Sequence, residues 1–502
     1  MLTFDRAAKA EPTARDALLL IAGFLLLRLA TAWIYPAMID EAYAITVSRS
    51  WSLSYFDHPP VGFTIARLVA WLAGSENVFV IRLPFVLAGS LCGWLIWDVT
   101  RIAFGARAAW WALAWYSVAP FFLISAGHFI VPDGPLNLAL LATLRLVLPD
   151  LLMPERSLRT VRWLAAGLCF AVALASKYQA GLFGLSALAF LLVSPPHRRL
   201  FAAPALWGSL ALGALGLVPV VAWNAAHDWV SIGFQAARSG AASPGFEPGN
   251  FAVTLVGQMA YLLPGTWIIV VWMATNGVAR PQATADRLFG WLAILPAILF
   301  LAAALISRNS LPHWAMSGFL FGFALAGAWA ARVADRHRWA LLAAWRASWI
   351  VIPVLALVVG LQARYALFTR PFANLPPQFD VDWQLQDWSA LATTWPQLGA
   401  PKLVVTRDWH IAGKVGHALG PDVIIRPLTD PRHFQFLTDT GGSSAIAIHP
   451  GAANRTGETL EKFRTNLQNH GYRETGEPSL LSMPSGSHTR FVIIAVPVER
   501  TR

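Results

Sequence analysis

Four ionisable residues in two adjacent pairs directly follow the first apolar stretch of the chain. Asp40 and Glu41 form the first pair, and Asp57 and His58 form the second, within the segment MIDEAYAITVSRSWSLSYFDHPPVGF. A carboxylate can take a proton from a reacting hydroxyl group, although one at a helix start can also serve only as a cap. Each pair alone fits an ordinary helix start, but two interfacial helices that each open with an acidic pair at membrane depth are a less ordinary combination.

Further charged and polar residues recur near the ends of later apolar stretches. Asp133 lies in VPDGPLNL and Lys177 in LASKYQAG, and the others are Arg82, His227, Gln235, Arg308 and His313. Cations stabilise a departing phosphate, and a carboxylate can deprotonate the acceptor. The set therefore suits group transfer from a lipid phosphate. The ordinary alternatives are a helix cap for Asp133, a snorkelling role for Lys177 and a loop or cap role for His227.

Composition predicts a protein that crosses the membrane many times. Of the 502 residues, 56% are hydrophobic and only 13% are charged, compared with about 25% charged in soluble proteins. The net charge of +11 fits arginines in cytoplasmic loops and contacts with anionic lipid or phosphate. No basic soluble region stands apart, so nucleic acid is not an expected partner. The two cysteines, Cys92 and Cys169, lie in apolar runs and predict no disulfide framework.

Eleven stretches are apolar enough to be candidate membrane spans, which need about 20 residues each. The candidate spans are residues 17–35, 78–100, 108–127, 134–149, 162–177, 179–194, 203–223, 252–274, 287–306, 313–331 and 340–362.

The motifs GxxxxGK[ST], HExxH, CxxC and GxSxG are absent, which disfavours nucleotide hydrolysis, zinc proteolysis and serine hydrolysis.

Arginines fall in alternate connections between these spans, as the positive-inside rule expects when the N-terminus is cytoplasmic. The first connection, residues 36–77, is then external and holds two amphipathic helices, from Asp40 to Tyr55 and from about Pro59. The polar tail is also external. Its alternating patterns predict a small α/β domain with strands at 401–406, 422–427, 443–449 and 490–498 and a helix at 458–471. We therefore predict a transmembrane domain, residues 1–364, and a periplasmic α/β domain, residues 365–502.

The order of these segments resembles the GT-C class of integral-membrane glycosyltransferases. The resemblance is to the bacterial branch related to protein O-mannosyltransferases and to the lipid A aminoarabinose transferase. It rests on DEAYAITVSRSWSLSYFDHPPVGFTIARL, VIRLPF, VPDGPLNLALL, ASKYQAG, PVVAWNAAHDWVSIGFQ and SLPHW, and covers about residues 15–330. It implies an α-helical membrane protein of the GT-C type, with about 11 transmembrane helices, that takes a sugar from a polyprenyl-phosphate donor.

The resemblance also implies roles for individual residues. Asp40, Glu41 and Asp133 would be catalytic carboxylates. The donor phosphate would be bound by Lys177, Arg308, Arg82 and His58, although a histidine replaces a fixed positive charge at position 58. The sugar or acceptor would contact Asp57, His227, Gln235 and His313. Some members bind a divalent metal such as Mg²⁺, Mn²⁺ or Zn²⁺ and others need none. Here Asp40 and His58 are the foremost candidate ligands, with Asp57 and His227 as others.

The sequence thus predicts an inverting glycosyltransferase of the bacterial inner membrane that acts on the periplasmic face. The acceptor would be lipid A or core oligosaccharide, another envelope glycan, or protein. A lipid or glycan transporter is an alternative, although the sequence shows no internal repeat of the transporter kind. A non-catalytic envelope-assembly subunit built around the tail is a third reading.

Overall fold

Helices form most of the chain, and all strands among the described residues lie after residue 400. The computed structural model describes residues 11–155, 157–238, 245–365, 382–434, 444–451, 456–485 and 488–501. Its α-helices are α1 (Ala14–Ile34), α2 (Ile39–Ser48), α3 (Val61–Ala73), α4 (Val78–Phe104), α5 (Ala106–Val118), α6 (Ala126–His128), α7 (Asp133–Leu152), α8 (Thr160–Ser176), α9 (Ala180–Val193), α10 (Pro204–Ala214), α11 (Val218–Ala226), α12 (Val230–Arg238), α13 (Pro248–Leu262), α14 (Pro264–Ala279), α15 (Thr284–Ile306), α16 (Met316–Tyr365), α17 (Asp382–Leu385), α18 (Ala390–Thr394), α19 (Trp409–Leu419) and α20 (Thr456–Asn469).

The helices confirm a polytopic membrane protein. Among the described residues, seven helices are long and apolar enough to cross a membrane, or up to ten if each of three bent pairs is one span. The expected span at 162–177 corresponds to α8, which has 17 residues. The expected span at 340–362 lies within α16, which has 50 residues, and the span at 313–331 begins three residues before that helix and continues into it.

Proline explains where the three bent pairs break. Helix α5 bends by 81° into Phe121–His128, α9 by 115° into Pro195–Ala202, and α13 by 103° into α14. The breaks contain Pro120, Pro195 and Pro264. Proline lacks a backbone N–H and its ring clashes with the preceding turn, so it ends or kinks a helix.

The first connection holds two short helices, as predicted. Helix α2 ends at Ser48, seven residues before the predicted Tyr55, and α3 begins at Val61, close to the predicted start at Pro59. Pro59 and Pro60 precede α3 directly, where fixed φ angles suit the start of a helix.

The tail forms a mixed sheet, which confirms the predicted α/β character. Its strands are β1 (Leu403–Thr406), β2 (Ile424–Pro427), β3 (Ser444–Gly451), β4 (Tyr472–Glu474), β5 (Ser479–Ser485) and β6 (His488–Arg500). The order is β2-β1-β3-β6-β4, with β5 also paired to β6. Strand β1 runs parallel to β2 and β3, and the pairs with β6 are antiparallel. Strands β4 and β5 were not predicted from the sequence.

The chain divides into two compact units. The first contains Met1–Ala30, Leu53–Gly62 and Leu83–Val354, and the second contains Thr31–Ser52, Phe63–Arg82 and Leu355–Arg502. Parts of the first connection, residues 36–77, thus group with the tail. Compactness and independent folding are different properties, so the domain boundary between residues 364 and 365 stays a prediction.

Candidate functional site

In the second unit, Glu41 and Arg82 form a fully buried ion pair. The guanidinium Nε lies 2.8 Å from Glu41 Oε1, and Nη2 lies 2.5 Å from Oε2. Nη1 donates to the carbonyls of Ala32 and Tyr35, and Nη2 also donates to that of Pro36. All five N–H groups of Arg82 are therefore used within the protein, and a phosphate would have to displace one of these contacts.

Glu41 is also occupied by its own helix start. Its Oε2 accepts a hydrogen bond from the backbone N–H of Met38 at 3.0 Å, which caps the first turn of α2. Glu41 and Arg82 are both 0% exposed. This geometry gives the pair a structural role and lends no support to the catalytic role predicted for Glu41 or the phosphate-binding role predicted for Arg82.

Asp40 has a different environment although it is the neighbouring residue. It lies in the same first turn of α2, and its side chain is exposed. The buried ion pair between Glu41 and Arg82 holds the first turn of α2 in place, because Glu41 belongs to that turn. Asp40 is therefore the carboxylate of its pair that solvent and ligands can reach.

In the first unit, Asp57 and His58 form a hydrogen-bonded turn. His58 Nδ1 lies 2.9 Å from Asp57 Oδ2, and the imidazole is 25% exposed while the carboxylate is buried. The backbone N–H of Tyr55 donates to the His58 carbonyl at 3.2 Å, which closes the turn. Gln235 Nε2 donates to the Asp57 carbonyl at 2.6 Å. The structure thus brings together three residues predicted for the site from segments 178 positions apart.

Asp133 and Lys177 also lie in the first unit, where they form a buried ion pair. The ammonium Nζ lies 2.9 Å from Oδ1 and 2.8 Å from Oδ2, and both side chains are nearly inaccessible. Asp133 begins α7, and Lys177 follows the last residue of α8, so the ends of two apolar helices position the pair. His58 and His313 also interact electrostatically with the Asp133 carboxylate. Four of the predicted residues of this unit, Asp133, Lys177, His58 and His313, therefore form a cluster.

A tyrosine network that the sequence analysis did not assign adjoins this cluster. Tyr178 follows Lys177, and its hydroxyl lies 2.8 Å from Ser231 Oγ. It also interacts with the side chains of Ser54, Asn224 and Asp57, and burial raises the pKa of the Tyr178 hydroxyl. The phenol therefore stays neutral and available as a hydrogen-bond donor. The signal was in the ASKYQAG segment, where the tyrosine stands beside the lysine.

Two other predicted residues have local partners. His227 stacks on Trp223 with ring centroids 4.1 Å apart, and its Nδ1 lies 2.7 Å from the Trp223 carbonyl at the end of α11. Arg308 is 83% exposed, and its Nε lies 2.5 Å from Glu247 Oε1. These contacts give no support to the predicted binding of a sugar by His227 or of a phosphate by Arg308.

The structure gives the predicted metal site no support. Across the part of the chain that the structure describes, no three His, Cys, Asp or Glu side chains cluster closely enough to hold a metal ion. Asp40 and His58, the foremost predicted ligands, therefore belong to no such group.

One buried cation within a span was not assigned from the sequence. Arg28 lies inside α1, is 1% exposed, and donates to the Phe122 carbonyl at 3.3 Å. Its guanidinium also lies 5.8 Å from the centre of the Tyr116 ring. The signal was an arginine in the run GFLLLRLAT, because an ionisable residue within a span requires a buried partner.

The sequence of this chain is similar to a protein family and to a lipid A transferase. A sequence model of the family described as dolichyl-phosphate-mannose-protein mannosyltransferase matches residues 57–223. The lipid A galacturonosyltransferase RgtD of Rhizobium johnstonii is 22% identical over 317 residues, which are 62% of this chain and 65% of that protein. The match therefore spans less than two thirds of the relative.

Solved structures show the fold. The crystal structure of ArnT from Cupriavidus metallidurans bound to undecaprenyl phosphate has a TM-score of 0.57 and 17% identity, covering 96% of this chain and 98% of that chain. The apo state of the same protein also gives a TM-score of 0.57, with 95% and 97% covered. The predicted resemblance is confirmed as far as the fold and this partial match: the chain has the ArnT-like fold of the GT-C class of integral-membrane glycosyltransferases, and residues 57–223 match the mannosyltransferase family.

Proposed function

We propose that the protein is a glycosyltransferase that moves a sugar from a polyprenyl-phosphate donor to an acceptor in the bacterial cell envelope. It would act at the periplasmic face of the inner membrane and invert the configuration of the sugar. The matching family is named for a dolichyl-phosphate donor, and the related ArnT was crystallised with undecaprenyl phosphate. RgtD is named for transfer to lipid A, which makes lipid A or its core the first acceptor to test.

The observation that carries this proposal is the contrast between Asp40 and Glu41. Transfer to a hydroxyl requires a carboxylate that the acceptor can reach and that is ionised before the reaction. Asp40 is exposed in the first turn of α2, whereas Glu41 is buried against Arg82 and holds that turn in place. Asp40 is therefore the proton acceptor in the proposal, and Glu41 positions it.

The proposed reaction is a direct displacement. Asp40 takes the proton of the acceptor hydroxyl, and the acceptor oxygen forms a bond to the anomeric carbon of the sugar. The bond between that carbon and the phosphate oxygen breaks, and polyprenyl phosphate leaves with both electrons of that bond. The developing negative charge on the phosphate needs a cation nearby.

Of the residues predicted to bind the donor phosphate, Lys177 of the first unit is the one whose geometry supports that role. An ammonium group has three N–H donors, and the Asp133 carboxylate accepts two hydrogen bonds from Lys177. The third N–H is not used by this carboxylate and would bind a phosphate oxygen that enters the buried site, while Asp133 fixes the direction of the ammonium. The partly exposed His58 imidazole, which interacts with Asp133, is a second candidate at the phosphate. Arg82, Arg308 and His227 are not retained in this proposal.

The test compares Asp40→Asn with Glu41→Gln in purified protein. The assay uses polyprenyl-phosphate galacturonic acid or polyprenyl-phosphate mannose as donor, and lipid A as acceptor. Asp40→Asn should fold normally and lose about 10²- to 10⁴-fold in rate, because asparagine still caps a helix but accepts no proton. Glu41→Gln should instead lower the amount of folded protein, because it removes the charge that balances a buried guanidinium.

Wild-type turnover by Asp40→Asn would remove Asp40 from the mechanism. The donors tested are only two members of a class, so mass spectrometry of envelope lipids from cells with and without the protein complements the assay. A sugar that disappears from lipid A or core would name the product. An unchanged envelope in which a lipid-linked sugar stays on the cytoplasmic face would favour the transporter alternative.

A further inference from the structure

Helix α19 of the tail packs directly on helix α2, which carries Asp40. Two glycines allow the two backbones to approach closely. A Cβ atom on Gly413 would lie 2.7 Å from the backbone nitrogen of Tyr43, and one on Gly416 would lie 2.5 Å from Thr46 Cγ2. The Thr46 hydroxyl also donates to the Gly413 carbonyl at 3.3 Å. A longer side chain at either glycine would push the helices apart.

A lysine from α19 holds the chain just before α2. Lys414 is 2% exposed, and its Nζ donates to the Ala37 carbonyl at 2.5 Å and to the Gln386 carbonyl at 3.0 Å. Ala37 directly precedes Met38, the N-cap residue of α2. The ammonium thus connects the start of the Asp40-bearing helix to the segment before β1.

Both protonation states of Lys414 can make these two contacts. Burial lowers the pKa of Lys414 to about 7, against the opposing influence of Asp387 and Glu41 and with the help of Arg82. A neutral amine still has two N–H groups, which equals the number of carbonyls that it contacts. The connection therefore does not depend on the charge.

An arginine that directly follows α2 binds the C-terminal end of α19. Arg49 follows α2, and its Nη1 and Nη2 donate to the carbonyls of Gly420 and Gly416 at 3.0 and 2.9 Å. These carbonyls lie in the last turn of α19 and at its C-cap, and that of Gly416 also accepts a hydrogen bond from the Gly420 N–H at 3.1 Å. Glu76 accepts two hydrogen bonds from the same guanidinium, at 2.8 and 2.6 Å, and so fixes its direction.

We propose that α19 of the tail clamps the catalytic segment, and that Lys414 is a positioning residue for Asp40. Lys414 holds the start of α2, Arg49 holds the end of α19, and the glycine contact sets the distance between the two helices. The proposal rests on the proposed function, in which Asp40 is the base. It gives the tail a role in catalysis that is separate from acceptor binding.

The test replaces Lys414 by methionine, which keeps the length of the side chain but donates no hydrogen bond. Because a displacement of about 1 Å can cost about 10²-fold in rate, kcat should fall by roughly 10- to 100-fold while donor KM and acceptor KM stay near their wild-type values. Lys462→Met, at an exposed lysine of α20, is the matched control and should behave as wild type. Lys414→Arg should recover much of the activity. Lys414 lines a cavity of about 310 Å³ that gives the larger guanidinium room.

Hydrogen exchange supplies a readout that does not depend on activity. In Lys414→Met, amides of residues 38–48 should exchange faster than in the wild type, and those of α7 should not change. If the wild-type protein transfers no sugar but the amides of residues 38–48 still exchange faster in Lys414→Met, the clamp is supported and the proposed function is overturned. Unchanged exchange together with unchanged kcat, or an equal loss in Lys462→Met, would overturn the clamp.

Discussion

At the scale of single residues, neighbours in the sequence have opposite environments. Asp40 and Glu41 are chemically alike and adjacent, yet one is exposed and the other is fully buried against Arg82. The helical period explains the difference, because successive residues point about 100° apart around the axis. In a helix that packs on one side, two adjacent carboxylates therefore rarely share a role.

The buried pair of Asp133 and Lys177 allows the donor-binding role to be tested apart from stability. Lys177→Met should weaken donor use by about 10- to 100-fold, because a charge-assisted contact to a phosphate contributes about 1.5–3 kcal/mol. It should also lower the folded yield, since it leaves the Asp133 carboxylate buried without its cation. Donor KM and thermal unfolding of the purified variant measure the two effects.

The double variant Lys177→Met, Asp133→Asn separates these effects. Neutralising both residues removes the unpaired buried charge, so the folded yield should recover relative to Lys177→Met alone. Donor use should not recover, because the cation is still absent. Lys462→Met is the matched control, since Lys462 is an exposed lysine of α20 and the substitution is the same. Recovery of donor KM in the double variant would show that Lys177 serves only to neutralise Asp133.

The sequence allowed the candidate residues to be predicted, but not all their partners. Asp57, His58, Asp133, Lys177 and Gln235 were selected from charge and position, and they converge in one unit. The pairing of Glu41 with Arg82 joins residues 41 positions apart, and no local pattern encodes such a contact. Both were therefore given catalytic or binding roles when their geometry indicates a structural one.

At the scale of elements, Gly413 and Gly416 allow the close approach of α19 to α2. Gly413→Ala should destabilise the protein by about 1–3 kcal/mol, because the new Cβ would lie 2.7 Å from the Tyr43 backbone nitrogen and the helices would have to separate. Gly457→Ala in α20 is the control, since a Cβ there has nothing within 4 Å. It should be neutral or slightly stabilising, because alanine favours helix over glycine. Thermal unfolding in detergent compares the two, and equal midpoints would show that the Gly413 contact adapts freely.

Element prediction succeeded at the apolar runs and at the strands richest in β-branched residues, and it missed strands β4 and β5 and the sharp bends. Apolar runs of about 20 residues and buried strands carry a strong periodic signal, and the structure has a helix or strand at each. The sharp bends were not predicted as bends, although Pro120, Pro195 and Pro264 are their physical cause. Strand β4 has three residues, which is too short for any periodicity to be visible.

At the scale of the whole molecule, the parity of the membrane crossings determines which side each segment occupies. Helix α8 is the critical element, since its 17 residues span about 26 Å and the hydrocarbon core is about 30 Å thick. If α8 crosses, and if each bent pair and each of the two expected spans in α16 crosses once, the Arg198 and Arg199 connection is cytoplasmic and residue 400, after eleven crossings, is periplasmic. If α8 does not cross, both assignments reverse.

We expect α8 to cross, because the alternative would place Arg198 and Arg199 outside, against the positive-inside rule. Reporter fusions after residues 158 and 198 should both report the cytoplasm, and a fusion after residue 400 should report the periplasm. The fusion at 158 is the internal control, because it precedes α8 and keeps its side in both cases. A cytoplasmic signal at 400 together with a periplasmic signal at 198 would show that α8 does not cross. The tail and α2 are parts of one compact unit, so a cytoplasmic tail would also argue against a periplasmic site of transfer at Asp40.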